Sequence, residues 1–485
     1  MPVKLAPGKS LFMRFLGNIF NILNVFILTL FVFVCFFHAD IVKTLGRCFK
    51  LYDSKKSMLT RCLPYFAVAL IIFLRSQTAL LRSEFWGEDM TEIFASAYQL
   101  GIKSVIAPVF GYQMLIPRIT GYLSTFLPVV SAPYIYAWVS FVLNVITFSY
   151  FSRGSFSHIM PSKAGRALTC ILLAVAPGTA EAFCNLCNLT TISTILVLLL
   201  LLEKPFKLNL FKLAAFFFLI FSAGQLFLFI PLVLYLWYSA KDNKYLFVLG
   251  LIVTATAINI LGVTSPSSKA FGFGIMNYKN ILSAPVVFFD NFIFRLFYMP
   301  FMGKRLTEYI IRFDVFYWPL TMTILGLITY AISKFKLLKQ KWFWMFVWAY
   351  FGSIAAFAVI AVVRNNIVSR FDWQTCWGIR YSLMPAVIVL ILWLSILPRK
   401  LKPGLYSLLL FLVIIMIPIN IFSRWEKDMI KREDLNWPAQ AVKIQDALDK
   451  KAEGNLKEPV ILRISGQPKN WYYEMSIKSP GEAKN

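Results

Sequence analysis

Histidine is nearly absent from this 485-residue chain, which has only His38 and His158, and acidic side chains number 23 against 49 lysines and arginines. The first shortage leaves no basis for a mechanism built on imidazole or for a His-rich metal centre. Charged residues make up only 15% of the chain, too few to clothe a water-soluble protein of this size. The seven cysteines (Cys35, Cys48, Cys62, Cys170, Cys184, Cys187 and Cys376) are scattered, mostly in apolar runs. Their one close pair, Cys184 and Cys187, has neither a second pair nor a nearby histidine to complete a zinc set. We read all seven as packing residues. Nucleotide-binding signatures are also missing: Gly8-Lys9-Ser10 lacks the upstream glycine of a phosphate loop, and Gly272-Phe273-Gly274 neither follows a strand nor reaches a third glycine. There is no repeat of fixed period and no low-complexity tract. No metal site and no cofactor are expected.

What the chain does have is apolar sequence: 59% of its residues are hydrophobic and its mean hydropathy is +0.67. That composition reads as an all-α polytopic membrane protein. A formal charge of +26 would suggest nucleic acid in a soluble chain. Here the lysines and arginines fall in short clusters between apolar runs, where cytoplasmic loops collect them, so nucleic acid is not the expected partner.

Runs long enough to span a bilayer, about 20 residues each, are found near 15–37, 63–82, 132–152, 166–183, 189–202, 210–222, 223–239, 245–263, 316–333, 342–363, 381–398 and 404–423, which gives about eleven or twelve helices. Several are short, notably 189–202, 210–222 and 223–239, and so are candidates for tilted or broken spans. Basic clusters alternate correctly between them: Arg153, Lys163 and Arg166; Lys204, Lys207 and Lys212; Lys241 and Lys244; Lys334, Lys336, Lys339 and Lys341; Arg399, Lys400 and Lys402. Placing these in the cytoplasm puts 83–131, 264–315, 364–380 and the tail 424–485 on the outer face. The run at 15–37 is basic on both sides, so its placement stays open, and it is expected to be retained because no small-residue cleavage site follows it. Three regions result: an N-terminal membrane or interfacial segment with its basic loop at 1–62, a transmembrane domain at 63–423, and a small outer appendage at 424–485. In the appendage a helix near 438–451 precedes strand-like Val460-Ile461-Leu462-Arg463-Ile464. At this size its own core is marginal, so it should lean on the outer loops.

Ionisable and amide groups near span ends are the default functional suspects. Four carboxylates, Glu84, Glu88, Asp89 and Glu92, crowd the first outer loop. Helical spacing would put Glu88 and Glu92 on one face; the plain alternative is a solvated loop that caps the next helix. Arg118 follows Pro117 among apolar neighbours and must find an anion, a carboxylate or the headgroup layer. The outer loop 364–380 holds Arg364, Arg370, Asp372 and Arg380 with Trp373 and Trp377. Guanidinium forks on phosphate and indoles on a sugar face would suit a lipid phosphate joined to a sugar, while an interfacial aromatic belt is the plainer reading. Glu181, Asn185 and Asn188, spaced i, i+4 and i+7, would share one helical face and serve either an interhelical network or a sugar's hydroxyls. Asp290 and Arg295 suit an internal ion pair.

The order of these motifs carries a resemblance. An acidic pair in the first large outer loop is followed by GYQMLIPRI, PGTAEAFCNLCN, GIRYSLMPA opening a late span, and a tail with NWPAQAVKIQDAL and QPKNWYYEM. From about residue 63 to the C-terminus this resembles bacterial integral-membrane glycosyltransferases of the GT-C superfamily, a group that includes the O-antigen-modifying glucosyltransferases of serotype-converting phages. The resemblance implies a GT-C-like membrane domain in a bacterial inner membrane with its active site facing the periplasm. It implies transfer of a hexose, most simply glucose, from a polyprenyl-phosphate carrier to a lipid-linked polysaccharide acceptor. The family's acidic position falls on Glu88 or Asp89, which are adjacent here, so the base is one of the two. The late-span arginine falls on Arg380.

Residue chemistry agrees with that reading: a carboxylate would accept the proton of the acceptor hydroxyl, and Arg118, Arg364, Arg370 or Arg380 would stabilise the departing phosphate. Glu92, Glu181, Asn185, Asn188, Asp372, Trp373 and Trp377 would hold the sugar or the acceptor. Arginines can balance a monophosphate carrier, so a divalent metal is not obligatory. The competing readings are a transporter or flippase of a lipid-linked sugar, for which the two-half symmetry is not visible, and an O-antigen polymerase or ligase.

Overall fold

The computed structural model describes residues 58–82, 84–108, 113–176, 183–224, 226–263, 435–456, 458–466 and 471–477, together with scattered positions between 319 and 395. The described part is mostly helical, with one small two-stranded sheet. In chain order the helices are α1 (Met58–Leu81), α2 (Ala95–Leu100), α3 (Leu115–Ser124), α4 (Ala132–Ser149), α5 (Lys163–Val175), α6 (Leu189–Leu202), α7 (Leu210–Ile220), α8 (Ile230–Ala240), α9 (Lys244–Val263) and α10 (Trp437–Ala452). Strands β1 (Val460–Gly466) and β2 (Trp471–Ile477) form an antiparallel hairpin with Val460 opposite Ile477 and Gly466 opposite Trp471.

Local chemistry sets the helix ends. Ser162 accepts the Gly165 N–H at 3.0 Å to start α5, and Asn209 accepts the Lys212 N–H at 2.9 Å to start α7. Helix α5 stops because Ala176 precedes Pro177 and takes the extended backbone that a following proline favours (φ −55°, ψ 139°). Helix α8 opens with Pro231 in its first turn and ends on Lys241 in the left-handed region. Helix α6 opens with Thr and Ser residues, continues as an unbroken apolar run from Ile195, and is buried on nearly every side, so it forms the centre of the bundle. Around it, α4 packs on α1, α3, α5 and α6; α7 packs on α3, α6 and α9; α8 packs on α9.

Helices α1 and α4 to α9 cross from one end of the bundle to the other, and hydrogen bonds between loops gather those ends. At one end Lys204 N–H donates to the Ser155 carbonyl, Phe206 stacks on Tyr245, and the loops carry Arg153, Lys163, Arg166, Lys204, Lys207, Lys212, Lys241 and Lys244. At the other, Leu115 N–H donates to Phe221, Ile116 N–H to the Ser222 hydroxyl, and Gln113 N–H to the Asn259 side chain. This second end carries Glu84, Glu88, Asp89 and Glu92. We call them the basic and the acidic end. The alternation of basic loops expected from sequence is therefore met by the loops from 150 to 244.

Among the described residues two helices, Cys62–Leu81 and Val129–Ser152, are long and apolar enough to cross a membrane, and four shorter apolar helices accompany them. The outward faces of the long pair are apolar: Leu63, Phe66, Leu70 and Leu74 on α1, and Tyr134, Trp138, Val142 and Ile146 at four-residue spacing on α4. The expected runs 15–37 and 404–423 lie outside the described residues, and those at 316–333, 342–363 and 381–398 fall on scattered positions only.

In the C-terminal appendage Trp437, Ala441, Ile444 and Ala447 of α10 and Ile464, Met475 and Ile477 of the hairpin are buried, and they belong to one hydrophobic cluster with the bundle. Gln440 ties α10 to the hairpin by accepting the Ser465 N–H at 2.7 Å. The appendage docks on the acidic end: α10 packs beside the turn at Val129–Ser131, and the Gln445 amide accepts the Val129 N–H.

Candidate functional site

Past α1 the chain turns through Glu84, a buried carboxylate whose Oε1 accepts the N–H groups of Leu435 (3.2 Å) and Trp437 (3.3 Å). It thus caps the N-terminus of α10 from 351 residues away in sequence, where the helix dipole favours a negative charge. Phe85 follows, its ring 4.7 Å from Trp437, 4.8 Å from Phe94 and 5.4 Å from Tyr136. This aromatic box, closed by the Trp437 Nε1–H bond to the Val130 carbonyl at 3.1 Å, joins the first acidic loop to the appendage.

The acids themselves start a one-turn π-helix, Asp89–Phe94, where sequence spacing had suggested an α-helix. Such turns are strained and frequent at functional sites. Gly121 of α3 lets the two segments meet, since a Cβ there would lie 2.5 Å from the Ile93 side chain. The three carboxylates diverge. Asp89 is 2% exposed, and its two oxygens accept the backbone N–H groups of Leu186 (Oδ2, 3.1 Å) and Cys187 (Oδ1, 2.9 Å). Glu88 is half-buried and takes the Trp86 Nε1–H on Oε2 at 3.1 Å. Glu92 is half-buried, and no hydrogen bond to its carboxylate is formed among the described residues. Burial pushes its carboxyl above the ordinary range; the Arg118 charge offsets part of that rise and Glu88 adds to it.

Arg118 finds carbonyls of its own chain. Its Nε donates to Ala107 (3.0 Å), Nη2 to Pro108 (3.0 Å), and Nη1 to both the Glu92 carbonyl and the Ser96 hydroxyl. It binds the π-helix, α2 and the 107–108 turn into one unit, and these bonds occupy donors that a carrier phosphate would need. Burial lowers its pKa and Glu92 opposes that fall, but a guanidinium stays charged.

Asn185 and Asn188 do not share a helical face as their spacing suggested. They sit in the irregular loop 183–188 between α5 and α6, because α5 has ended at Val175 and Cys184 adopts a left-handed backbone (φ 55°). Ser140 Oγ donates to the Asn185 carbonyl (3.0 Å) and accepts its N–H (3.1 Å), while Asn185 Oδ1 accepts the Asn188 N–H at 3.2 Å. The Asn185 Nδ2 group, in a residue 1% exposed, has no hydrogen-bond partner among the described residues. Cys187 lies against Asp89, and burial followed by the Asp89 charge pushes its thiol well above the usual range.

No family model, characterised protein or solved structure matches this chain. The reading of the site therefore rests on its own geometry.

That geometry brings together Glu88, Asp89, Glu92, Arg118, Asn185 and Asn188 at the acidic end. Glu181, Arg364, Arg370, Asp372, Trp373, Trp377 and Arg380 lie outside the described residues, as do Asp290 and Arg295. Among the described residues no three His, Cys, Asp or Glu side chains form a metal-ligating group. Sequence reasoning named Glu84 among four acidic suspects without its contact to the tail, and gave no role to Ser140 or Trp437. Of these, Trp437 left a signal: it is a large aromatic opening a polar helix, a position that only a contact elsewhere in the fold explains.

Proposed function

We propose that the chain is a bacterial inner-membrane glycosyltransferase of GT-C type that moves a hexose, most simply glucose, from a polyprenyl-phosphate carrier to a lipid-linked polysaccharide at the periplasmic face. The observation that carries the reading is how polar groups are distributed among the described residues. The carboxylates of 84–92, the buried amide of Asn185 and the docked appendage share one end, and the lysine- and arginine-rich loops share the other. Apolar outward faces on α1 and α4 support a lipid surround, since a water-facing helix carries polar residues there. Basic loops on one side support the assignment of that side to the cytoplasm.

In the proposed reaction the acceptor oxygen attacks the anomeric carbon as its proton passes to a carboxylate of the 88–92 segment. The bond from that carbon to the phosphate oxygen breaks, and the electron pair leaves on the polyprenyl phosphate. Arg364, Arg370 and Arg380 remain the proposed partners of that phosphate. With its bonds as observed, Arg118 acts by holding the acidic segment in place.

The test is transfer of labelled glucose by the purified protein in lipid, from polyprenyl-phosphate glucose to isolated lipopolysaccharide. Label in the polysaccharide supports the reading. A folded protein that binds the carrier, yet transfers nothing from several carrier sugars, contradicts it and leaves movement of the carrier across the membrane as the better account.

A further inference from the structure

We infer that two acids of the first outer loop divide two tasks: Asp89 is a positioning residue that clamps the 183–188 loop to the first acidic segment, and Glu92 is the catalytic carboxylate that meets the acceptor hydroxyl. The Glu92 half rests on the proposed glycosyl transfer; the Asp89 half stands on geometry alone. Both oxygens of Asp89 are bound to backbone N–H groups of Leu186 and Cys187 in a site closed to water. A carboxylate held that way and buried presents no oxygen to a substrate, and its charge-assisted bonds to those backbone N–H groups are of the strong class. What it does is fix the loop that carries Asn185, whose buried Nδ2 has no hydrogen-bond partner among the described residues, against the π-helix.

Three residues on, Glu92 has the opposite surroundings. Its main-chain carbonyl is fixed by Arg118 and Ser96, while its carboxylate is half-buried and forms no hydrogen bond within the described chain. The backbone is held and the side chain is left for a ligand, as a general base requires. Partial burial and the nearby Glu88 also strengthen it as a proton acceptor relative to an ordinary surface carboxylate. On reaction the acceptor O–H proton moves to Glu92 as the new C–O bond forms and the phosphate departs with the electron pair of the broken bond.

The experiment compares wild type, Asp89→Asn, Glu92→Gln and Glu92→Asp in lipid by two readouts: sugar transfer across a pH series at saturating donor, and maleimide modification of Cys187 followed by peptide mass spectrometry. Glu92→Gln should lower transfer by about 10²-fold or more and leave Cys187 as protected as in wild type. Glu92→Asp should recover part of the loss and shift the acid limb of the pH profile. Asp89→Asn should raise Cys187 modification by about tenfold or more, because the clamp opens and the charge that suppresses the thiolate is gone. Its residual transfer should keep the wild-type acid limb. Full transfer by Glu92→Gln overturns the catalytic assignment, and unchanged Cys187 protection in Asp89→Asn overturns the clamp. Should wild type itself transfer nothing, the proposed function fails and the Glu92 half falls with it, while Cys187 modification still decides the role of Asp89.

Discussion

Removing the Trp437 ring should undock the appendage while leaving the helix bundle folded. The side chain is 1% exposed, packs edge-on against Phe85 and Phe94 at 4.7 and 5.8 Å, and donates to the Val130 carbonyl. Truncating a buried tryptophan to alanine costs about 3–5 kcal/mol. The vacated site adjoins a docking seam that water can reach, and the Val130 carbonyl can then be hydrated, which argues for the lower end. Among the described residues the other hydrogen bonds between tail and bundle include the Glu84 cap, one bond from Val129 to Gln445, and a 3.5 Å contact between Gln99 and Tyr473. At about 1.4 kcal/mol per factor of ten, a loss of ~3 kcal/mol raises the undocked population about 10²-fold. Trypsin reads this directly, since Lys443 and Arg463 lie in the appendage and cleavage tracks the open fraction when reclosing is fast. Trp437→Ala should speed cleavage at these sites about 10²-fold, with no change in the fragments from the bundle. Trp437→Phe, which keeps most of the ring packing, should speed it by about tenfold or less. Cleavage of Trp437→Ala within threefold of wild type would refute the claim that this residue anchors the tail.

At the basic end, Glu203 is buried and bound by Lys212, by Arg153 at 3.3 Å and by Ser155 at 2.9 Å. Glu203→Gln should cost about 1–3 kcal/mol, below the full penalty for a broken buried pair because Arg153 is 47% exposed. Burial alone would raise the Glu203 pKa, but the Lys212 and Ser155 hydrogen bonds and the Arg153 charge outweigh it and hold the value below the ordinary range. Its contribution to stability is therefore full above the unfolded carboxylate pKa of about 4.3 and is lost as pH falls through the lower folded value. Thermal unfolding should separate wild type from Glu203→Gln at pH 7 and bring them together in strong acid; an equal gap at both would remove the ion pair as the cause. Arg118→Lys should cost about 2–3 kcal/mol, because one ammonium cannot reach the acceptors that the guanidinium spans. Hydrogen exchange at 92–108 should quicken selectively, and unchanged protection there would show that the segment holds itself together.

The parts of this fold that were legible in the sequence are those fixed by local pattern. The apolar run of α6 carries both of its boundaries, and the tail helix and first strand fall within two residues of their expected limits. Basic loops predicted which ends of the helices lie together. The candidate site was less legible because its contacts span long separations: Asp89 meets Leu186 and Cys187, and Glu84 meets Leu435 and Trp437. Spacing arguments assume continuous α-helix, and they failed at both places where the backbone departs from it. A π-turn carries Asp89 and Glu92, and the extended Ala176 ends the helix that would have aligned Asn185 with Asn188. Arg118 was recognised as needing partners, but a sequence cannot distinguish carbonyls of the same chain from a phosphate.

The central claim is glycosyl transfer at the acidic end of a membrane-embedded bundle. It is tested most directly in sealed proteoliposomes of known orientation, with polyprenyl-phosphate glucose in the bilayer and a water-soluble acceptor analogue on one side at a time. The account predicts labelled product only when the acceptor is on the side that bears the C-terminal appendage. Product formed only on the opposite side, or on neither side by a folded protein, would contradict it.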